Sequence, residues 1–423
     1  MSPRRSGRPL RERPGHRATT ASVQAIYPFV TEAGVGSRGA YIGRDLYGGS
    51  FLYDPFTLYE DRVLTNPNLL VIGEVGAAKS SLVKTYCFRQ AVFGRIAWIG
   101  DPKGEYGPLA RALGVEPIRL SPGGSATLNP LGGSDEIARL TLLQALTATA
   151  LERALNSEEH AILREALGVL TTKRPEPILP ELIELLFSPT AEMADGARTT
   201  RDGFTHAARE PALALQRLSE GELRGMLDGP TSVPIDPSAP ATVLDLSAFY
   251  DSKALAIVMT CAAAVQRSVI AELHAEADAH GEAAPKFINV FDEAWRVLSV
   301  LGVGEWLQDL FKKSRSYGVQ NVLVMHRLSD LSAAGAAGSR EVALAEGLLH
   351  DTQTRVVYRQ VQDELPRTRE ALGLTSLEAR LLPTLEPGVA LWKLGARSFL
   401  VQHRLSPYET ELVDTDGRML DHV

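Results

Sequence analysis

Four side chains at two places in this 423-residue chain have the types needed to work on a phosphoanhydride. Lys79 and Ser80 end a glycine-bearing turn, and Asp292 and Glu293 end an apolar run. The turn reads Gly73-Glu74-Val75-Gly76-Ala77-Ala78-Lys79-Ser80, with Ser81 after it. Glycines let a backbone wrap phosphates with its N–H groups, and a following helix adds positive partial charge at its N-terminus. In such a turn Lys79 holds the β- and γ-phosphates of ATP and the Ser80 hydroxyl ligates Mg²⁺. The pattern G-x-x-x-x-G-K-[ST] has glycine where this chain has Ala78. A positive φ there costs alanine about 1–2 kcal/mol. Taken alone, the stretch also fits a plain strand-to-helix turn with an incidental Lys-Ser.

The second pair completes a nucleotide-hydrolysing set. Phe287-Ile288-Asn289-Val290-Phe291 reads as a buried strand that delivers Asp292 and Glu293 at its tip. The first carboxylate organises Mg²⁺ and the second polarises the attacking water. The bland reading of two adjacent acids is a helix N-terminus favoured by the helix dipole. Further on come Lys312, Lys313 and Arg315, then a strand at 319–325, then His326-Arg327. In an open α/β sheet the strand ends gather at one crevice, which puts His326 and Arg327 beside the γ-phosphate.

These residues need a sheet to hold them. Strand signals at 69–72, 96–99, 242–246, 287–291 and 319–325 alternate with helical patterns. That alternation predicts an α/β fold: a P-loop (RecA-like) core with a mainly parallel sheet covered on both faces. Later strands are expected at 354–358, 389–392 and 399–402. Leu140, Leu143 and Leu146, then Leu163, Leu167 and Leu170, recur at helical spacing, and Asn156-Ser157-Glu158-Glu159 reads as a helix start. The expected organisation is a basic tail at 1–22, a short β-rich lead at 23–65 and the first part of the core at 66–130. A helical subdomain at 131–230, inserted after the second core strand, precedes the second part of the core at 231–415 and a tail at 416–423. Tyr53, Phe56 and Tyr59 read as core aromatics, with adenine cover as the alternative.

Composition narrows the class. The chain is 44% hydrophobic and 22% charged, as globular proteins are, and its net charge of −7 argues against a generic nucleic-acid binder. Residues 1–22 carry six arginines against one glutamate and read as a disordered basic tail. Two cysteines, Cys87 and Cys261, fall in segments read as separate helices, which excludes a disulfide scaffold and fits a reducing cytosol. The longest apolar stretch, about a dozen residues from Ala254, is shorter than the ~20 of a membrane span and reads as a buried helix. No G-x-S-x-G and no cysteine pair at metal-ligand spacing occur.

The order of motifs resembles the FtsK/HerA superfamily of pumping ATPases, most closely the conjugative-transfer ATPases of type IV secretion (TraC/TraG-like). The residues that carry the likeness are 73–80, Asp101-Pro102-Lys103-Gly104-Glu105-Tyr106, Asn129-Pro130, Asp292-Glu293-Ala294-Trp295 and Arg315-Ser316-Tyr317-Gly318, with a closing segment ending at 405–409. It covers roughly residues 40–415. The resemblance implies that Lys79 and Ser80 bind phosphate and Mg²⁺, Asp292 supports the metal and Glu293 activates water. It makes Glu105 a second acidic group beside the phosphates and Arg315 the arginine that reaches a neighbouring subunit's ATP. His326 stands where relatives carry a glutamine that senses γ-phosphate. About 40 residues precede the fold, fewer than the N-terminal domain common in conjugation ATPases, so a separate polypeptide is expected to supply that docking surface. The implied partners are further copies of the chain in a hexamer, membrane components of a secretion or conjugation apparatus, and DNA. The implied location is the cytoplasm, peripheral to the membrane through those partners. A translocase acting directly on DNA and a nucleotide-binding scaffold without hydrolysis stay open as alternatives.

Overall fold

The computed structural model describes residues 34–133, 135–252, 254–298, 303–334 and 340–413. The basic tail at 1–22, the first apolar segment of the lead at 27–30 and the tail at 416–423 lie outside them.

One sheet organises the described residues. Its strands are β1 (Ala40–Asp45), β2 (Ser50–Tyr53), β3 (Leu69–Ile72), β4 (Arg95–Asp101), β5 (Ile118–Arg119), β6 (Ala241–Asp245), β7 (Lys286–Phe291), β8 (Val319–Met325), β9 (Thr354–Val357), β10 (Val389–Leu394) and β11 (Arg397–His403). They lie in the order β2-β1-β11-β10-β9-β3-β8-β7-β4-β6-β5. From β9 to β5 every neighbouring pair is parallel. From β2 to β9 every pair is antiparallel.

The period of two along the central strands divides the interior into two cores. Leu69 and Val71 of β3 face one side, with Ile99 of β4 and Val322 and Val324 of β8. Leu70 and Ile72 face the other, with Trp98, Leu323 and Met325. Both sides are covered, so these strands are apolar on both faces, as a parallel sheet requires. The helix Lys79–Ala91 covers the first side through Leu82, Val83 and Tyr86. The helices Ala254–His280 and Val303–Lys313 cover the second. Polar residues inside the sheet are paired: Tyr86 donates to Gln320 Oε1 at 2.6 Å, and Asn321 links Asn68 (3.2 Å) to Asn289 (3.3 Å).

Between β5 and β6 the chain is helical: Glu136–Leu151, Ser157–Lys173, Leu179–Phe187, Ala191–Gly196 and Arg201–Glu220. Asn156 and Glu159 close a reciprocal capping box at the start of the second. Leu143, Leu146, Leu163, Leu167 and Leu170 are buried in the core shared with Ala254–His280. That 27-residue helix is long and apolar enough to cross a membrane, but most of its apolar stretch is buried inside the fold. Its Arg267 is held by Asp135 at 2.7 Å and Asp309 at 3.4 Å.

Two features differ from the sequence reading. The helical segment follows β5 rather than β4, because a two-residue strand adds to the sheet edge before the chain leaves it. Two residues display no period, so nothing in the sequence marks them. The β-rich lead joins the core directly: β1 pairs with β11 and continues the same sheet. Tyr53 and Phe56 are core residues, and Tyr53 donates to Thr354 Oγ1 at 3.0 Å, whereas Tyr59 is exposed. Cys87 and Cys261 are buried free thiols on separate helices.

Candidate active site

The C-terminal ends of β3, β8, β7 and β4 stand side by side, with Ile72 opposite Met325, Leu323 opposite Phe291 and Phe291 opposite Gly100. Each strand therefore releases its next residues into one crevice: the turn 73–78, His326, Asp292-Glu293, and Asp101.

The turn after β3 is shaped by contact and by handedness. A Cβ on Gly73 would sit 2.4 Å from Tyr358 Cβ, so only glycine fits. Gly76 has φ +79, and Ala78 has φ 78 and ψ 25, in the left-handed region. The alanine thus sits in the conformation that costs it about 1–2 kcal/mol. We expect Ala78→Gly to stabilise the fold by up to about 1 kcal/mol, after allowing for the entropy glycine loses on folding. A urea midpoint that falls would contradict this. Glu74 is tied to the strand end after β9, accepting from Arg359 Nε at 3.0 Å, while Val75 at the tip is exposed. Ala77 is buried, and Ser80 and Ser81 are half-buried in the first helical turn.

Lys79 is buried and folded back. Its Nζ lies 2.7 Å from Gly73 O, 2.9 Å from Glu74 O and 3.0 Å from His326 Nδ1. The ring's Nε2 lies 2.9 Å from Glu293 Oε1. One assignment satisfies both contacts: Lys79 donates to Nδ1, and the ring carries its proton on Nε2 and donates to Glu293. Burial pulls the Lys79 amine from its ordinary 10.5 down to about 8, against the opposing pull of Asp292 and Glu293. A bound phosphate favours the ammonium and raises that value again. Above pH 8 binding therefore takes up a proton, and affinity falls by up to about tenfold per pH unit; below pH 8 Lys79 is charged in both states and adds no slope. Titrating a non-hydrolysable ATP analogue between pH 7.5 and 9.5 checks this, and a flat affinity would contradict it.

Glu293 is 3% exposed and all but enclosed by donors. Lys103 Nζ meets Oε1 at 2.5 Å, beside the His326 contact, and Trp295 Nε1–H donates to Oε2 at 2.7 Å. Burial alone would raise this carboxyl, but His326 and Lys103 outweigh it and hold it well below the usual carboxylate range. Its φ of 52 is left-handed, a strained state for a glutamate, at the corner between β7 and the helix Ala294–Leu298. Asp292 accepts from Tyr106 Oη at 3.0 Å and from the Glu293 amide at 2.9 Å. Burial first, and the Glu293 charge second, push its carboxyl up. Ser80 and Asp292 offer one hydroxyl and one carboxylate. That set fits Mg²⁺, which fills its remaining positions with phosphate oxygens and water.

Asp101 explains the Asp-x-x-x-Glu-Tyr motif. Its Oδ1 accepts from the amides of Lys103, Gly104 and Glu105 at 3.2, 2.8 and 3.1 Å, and its Oδ2 from Tyr106 at 2.8 Å. The turn wound on this carboxylate delivers Lys103 to Glu293 and Tyr106 to Asp292. Sequence reading quoted these residues but gave Lys103, Tyr106 and Trp295 no role. Their only signal was position, two and five residues beyond one strand-end acid and two beyond another.

The remaining candidates are spread more widely. Glu105 is half-buried and acts on the fully buried Lys84 rather than on Lys79. Lys84 Nζ, without a hydrogen-bond partner among the described residues, lies 5.4 Å from the Tyr106 ring centre. Arg327 is exposed at the rim of an open cleft of about 880 Å³, lined also by Glu74, Tyr250, Glu293, Trp295 and His326. Arg315 is not in this cleft. It is exposed on the turn before β8, with Nη1 3.5 Å from Thr65 O, at the other end of the strands. A seven-residue strand spans roughly 20 Å, so Arg315 does not reach its own Lys79.

No protein-family profile matches the chain, and no curated protein matches it. Among solved structures it is similar to VirB4 of Thermoanaerobacter pseudethanolicus, at 21% identity and TM-score 0.69, over 89% of this chain and 99% of that one. It is also similar to the plasmid coupling protein TrwB in complex with ADP and Mg²⁺, at 14% identity and TM-score 0.55, over 88% of this chain and 91% of that one. TrwB in complex with the non-hydrolysable ATP analogue ADPNP gives 15% identity and TM-score 0.55, over 88% and 92%. At these identities the likeness is one of fold, and it bears out the expectation of a mainly parallel P-loop α/β core.

Proposed function

We propose that this chain is an ATP-hydrolysing motor of the FtsK/HerA superfamily that powers conjugative DNA transfer or type IV secretion. The observation that carries the reading is the line Lys79–His326–Glu293, with Asp292 beside it, at the ends of three adjacent strands. The fold shared with VirB4 and TrwB supports it, as does the TrwB structure with ADP and Mg²⁺.

In this reading Lys79 exchanges two backbone carbonyls and His326 for the β- and γ-phosphates of ATP. Ser80 and Asp292 hold Mg²⁺, which when bound neutralises charge on the phosphates. The amides of 74–81 line the phosphate path. Glu293 accepts a hydrogen bond from a water aimed at the γ-phosphorus, and His326, released by Lys79, senses that phosphate when its ring presents an N–H to it in place of the Nδ1 lone pair. Glu105 sits behind these groups with Lys84. Arg315 serves the neighbouring copy, so a homo-oligomer, six-fold by family resemblance, completes each site. Membrane components of a secretion apparatus are the fitting partners, and the chain then works in the cytoplasm at the inner face of the membrane.

Specific ATP turnover measured against protein concentration, with and without DNA, tests this. The reading expects a rate that climbs as copies assemble. A rate equal to that of a Lys79→Ala control at every concentration would contradict it, and turnover that depends strictly on DNA would instead assign a translocase.

A further inference from the structure

We infer that Lys103 is a positioning residue that latches Glu293 in the resting state, so that water activation waits for the incoming nucleotide. The inference rests on the ATPase reading. A carboxylate that polarises water must offer the water a free acceptor position. A carboxylate has about four such positions, and three donors on the two oxygens of Glu293 leave about one: Lys103 at 2.5 Å, His326 at 2.9 Å and Trp295 at 2.7 Å. The residue as a whole is 3% exposed, which leaves water little access to the remaining position.

Of the three donors, Lys103 is the one built to leave. His326 and Trp295 follow directly from the ends of β8 and the corner after β7. Lys103 stands two residues beyond β4, on the Asp101-wound turn, beside Gly104 at φ +71. Its side chain is 29% exposed where Glu293 is 4%. Lys103 and His326 meet the same oxygen of Glu293 and Lys79 meets His326, so both ammonium groups border one crevice. A γ-phosphate entering there offers Lys103 a rival anion at the same moment as it draws Lys79 off His326. The departure of Lys103 opens a position on Glu293, while His326 keeps its Nε2 contact there. ADP brings no γ-phosphate and leaves the latch closed.

The test compares wild type, Lys103→Met and Lys103→Arg in ATP turnover at one protein concentration at which the copies assemble, with Lys79→Ala as the blank and thermal unfolding recorded for each. Opening of the latch after ATP binds limits wild-type turnover, so Lys103→Met, with no latch to open, raises kcat about threefold or more while KM for ATP changes less than about twofold. Lys103→Arg keeps the cation and is expected to keep the low wild-type rate. A kcat in Lys103→Met equal to or below wild type, with wild type active, overturns the latch and leaves the ATPase reading standing. A purely structural role would lower the unfolding temperature without raising kcat, and overturns it as well. Wild type and Lys103→Met both at the Lys79→Ala background, even when concentrated, overturn the ATPase reading and the latch with it.

Discussion

Arg315→Ala leaves ATP binding intact and lowers turnover of the assembled protein by about 10³–10⁵-fold, the usual worth of an arginine supplied to a neighbouring NTP site. The side chain makes one long contact, at 3.5 Å to Thr65 O, and is otherwise exposed, so its removal changes stability by no more than about 0.5 kcal/mol. It also lies at the far end of the strands from Lys79, so it has no route to its own nucleotide. A large loss of rate in a stable variant that still binds ATP therefore locates the effect in another copy. Unchanged turnover with assembly intact would remove Arg315 from the mechanism and leave it a surface cation beside Lys312 and Lys313.

Lys79→Ala brings turnover to background, a loss of at least about 10²–10³-fold for one preorganised donor aimed at developing charge. Two consequences separate this variant from the first. ATP affinity falls as well, because Lys79 contacts the phosphates in the ground state, and the pH dependence of binding above pH 8 disappears with the amine that causes it. The fold should survive. The side chain holds two turn carbonyls and one imidazole nitrogen, and deleting it also relieves the cost of a buried ammonium. Wild-type affinity in this variant would show that phosphate binds elsewhere.

The sequence made the centre of the fold readable because the central strands are buried on both faces. Val319–Met325 reads as one strand, apolar but for Gln320 and Asn321, and it lies between β3 and β7 with all seven residues buried. Asp292, Glu293 and His326 were legible for a related reason: they follow directly from strand ends, Lys79 and Ser80 follow one glycine-bearing turn after another, and parallel strand ends meet. What the sequence could not display was pairing between distant segments. Gly43 of β1 lies opposite His403 of β11, and neither stretch announces the other. The contacts around Glu293 were hidden in the same way. Lys103 reaches it across a turn that Asp101 winds by accepting four amide protons, a geometry that no spacing rule encodes. Glu105, two residues after Lys103 in sequence, acts on Lys84 instead. The expectation that Ala78 needs a positive φ was readable, since the residue type conflicts with the turn, and φ there is 78.

The most direct measurement mixes the two inactive variants. Lys79→Ala keeps Arg315 and Arg315→Ala keeps Lys79, so a site at the junction of one copy of each has both groups. Random co-assembly in equal amounts puts a complete pair at about a quarter of the junctions, since each site needs one particular neighbour. The account predicts that ATP turnover, at background in either variant alone, returns to about that fraction of wild type in the mixture. A mixture that co-assembles and binds ATP, yet stays as inactive as its components, would contradict a site shared between neighbouring copies.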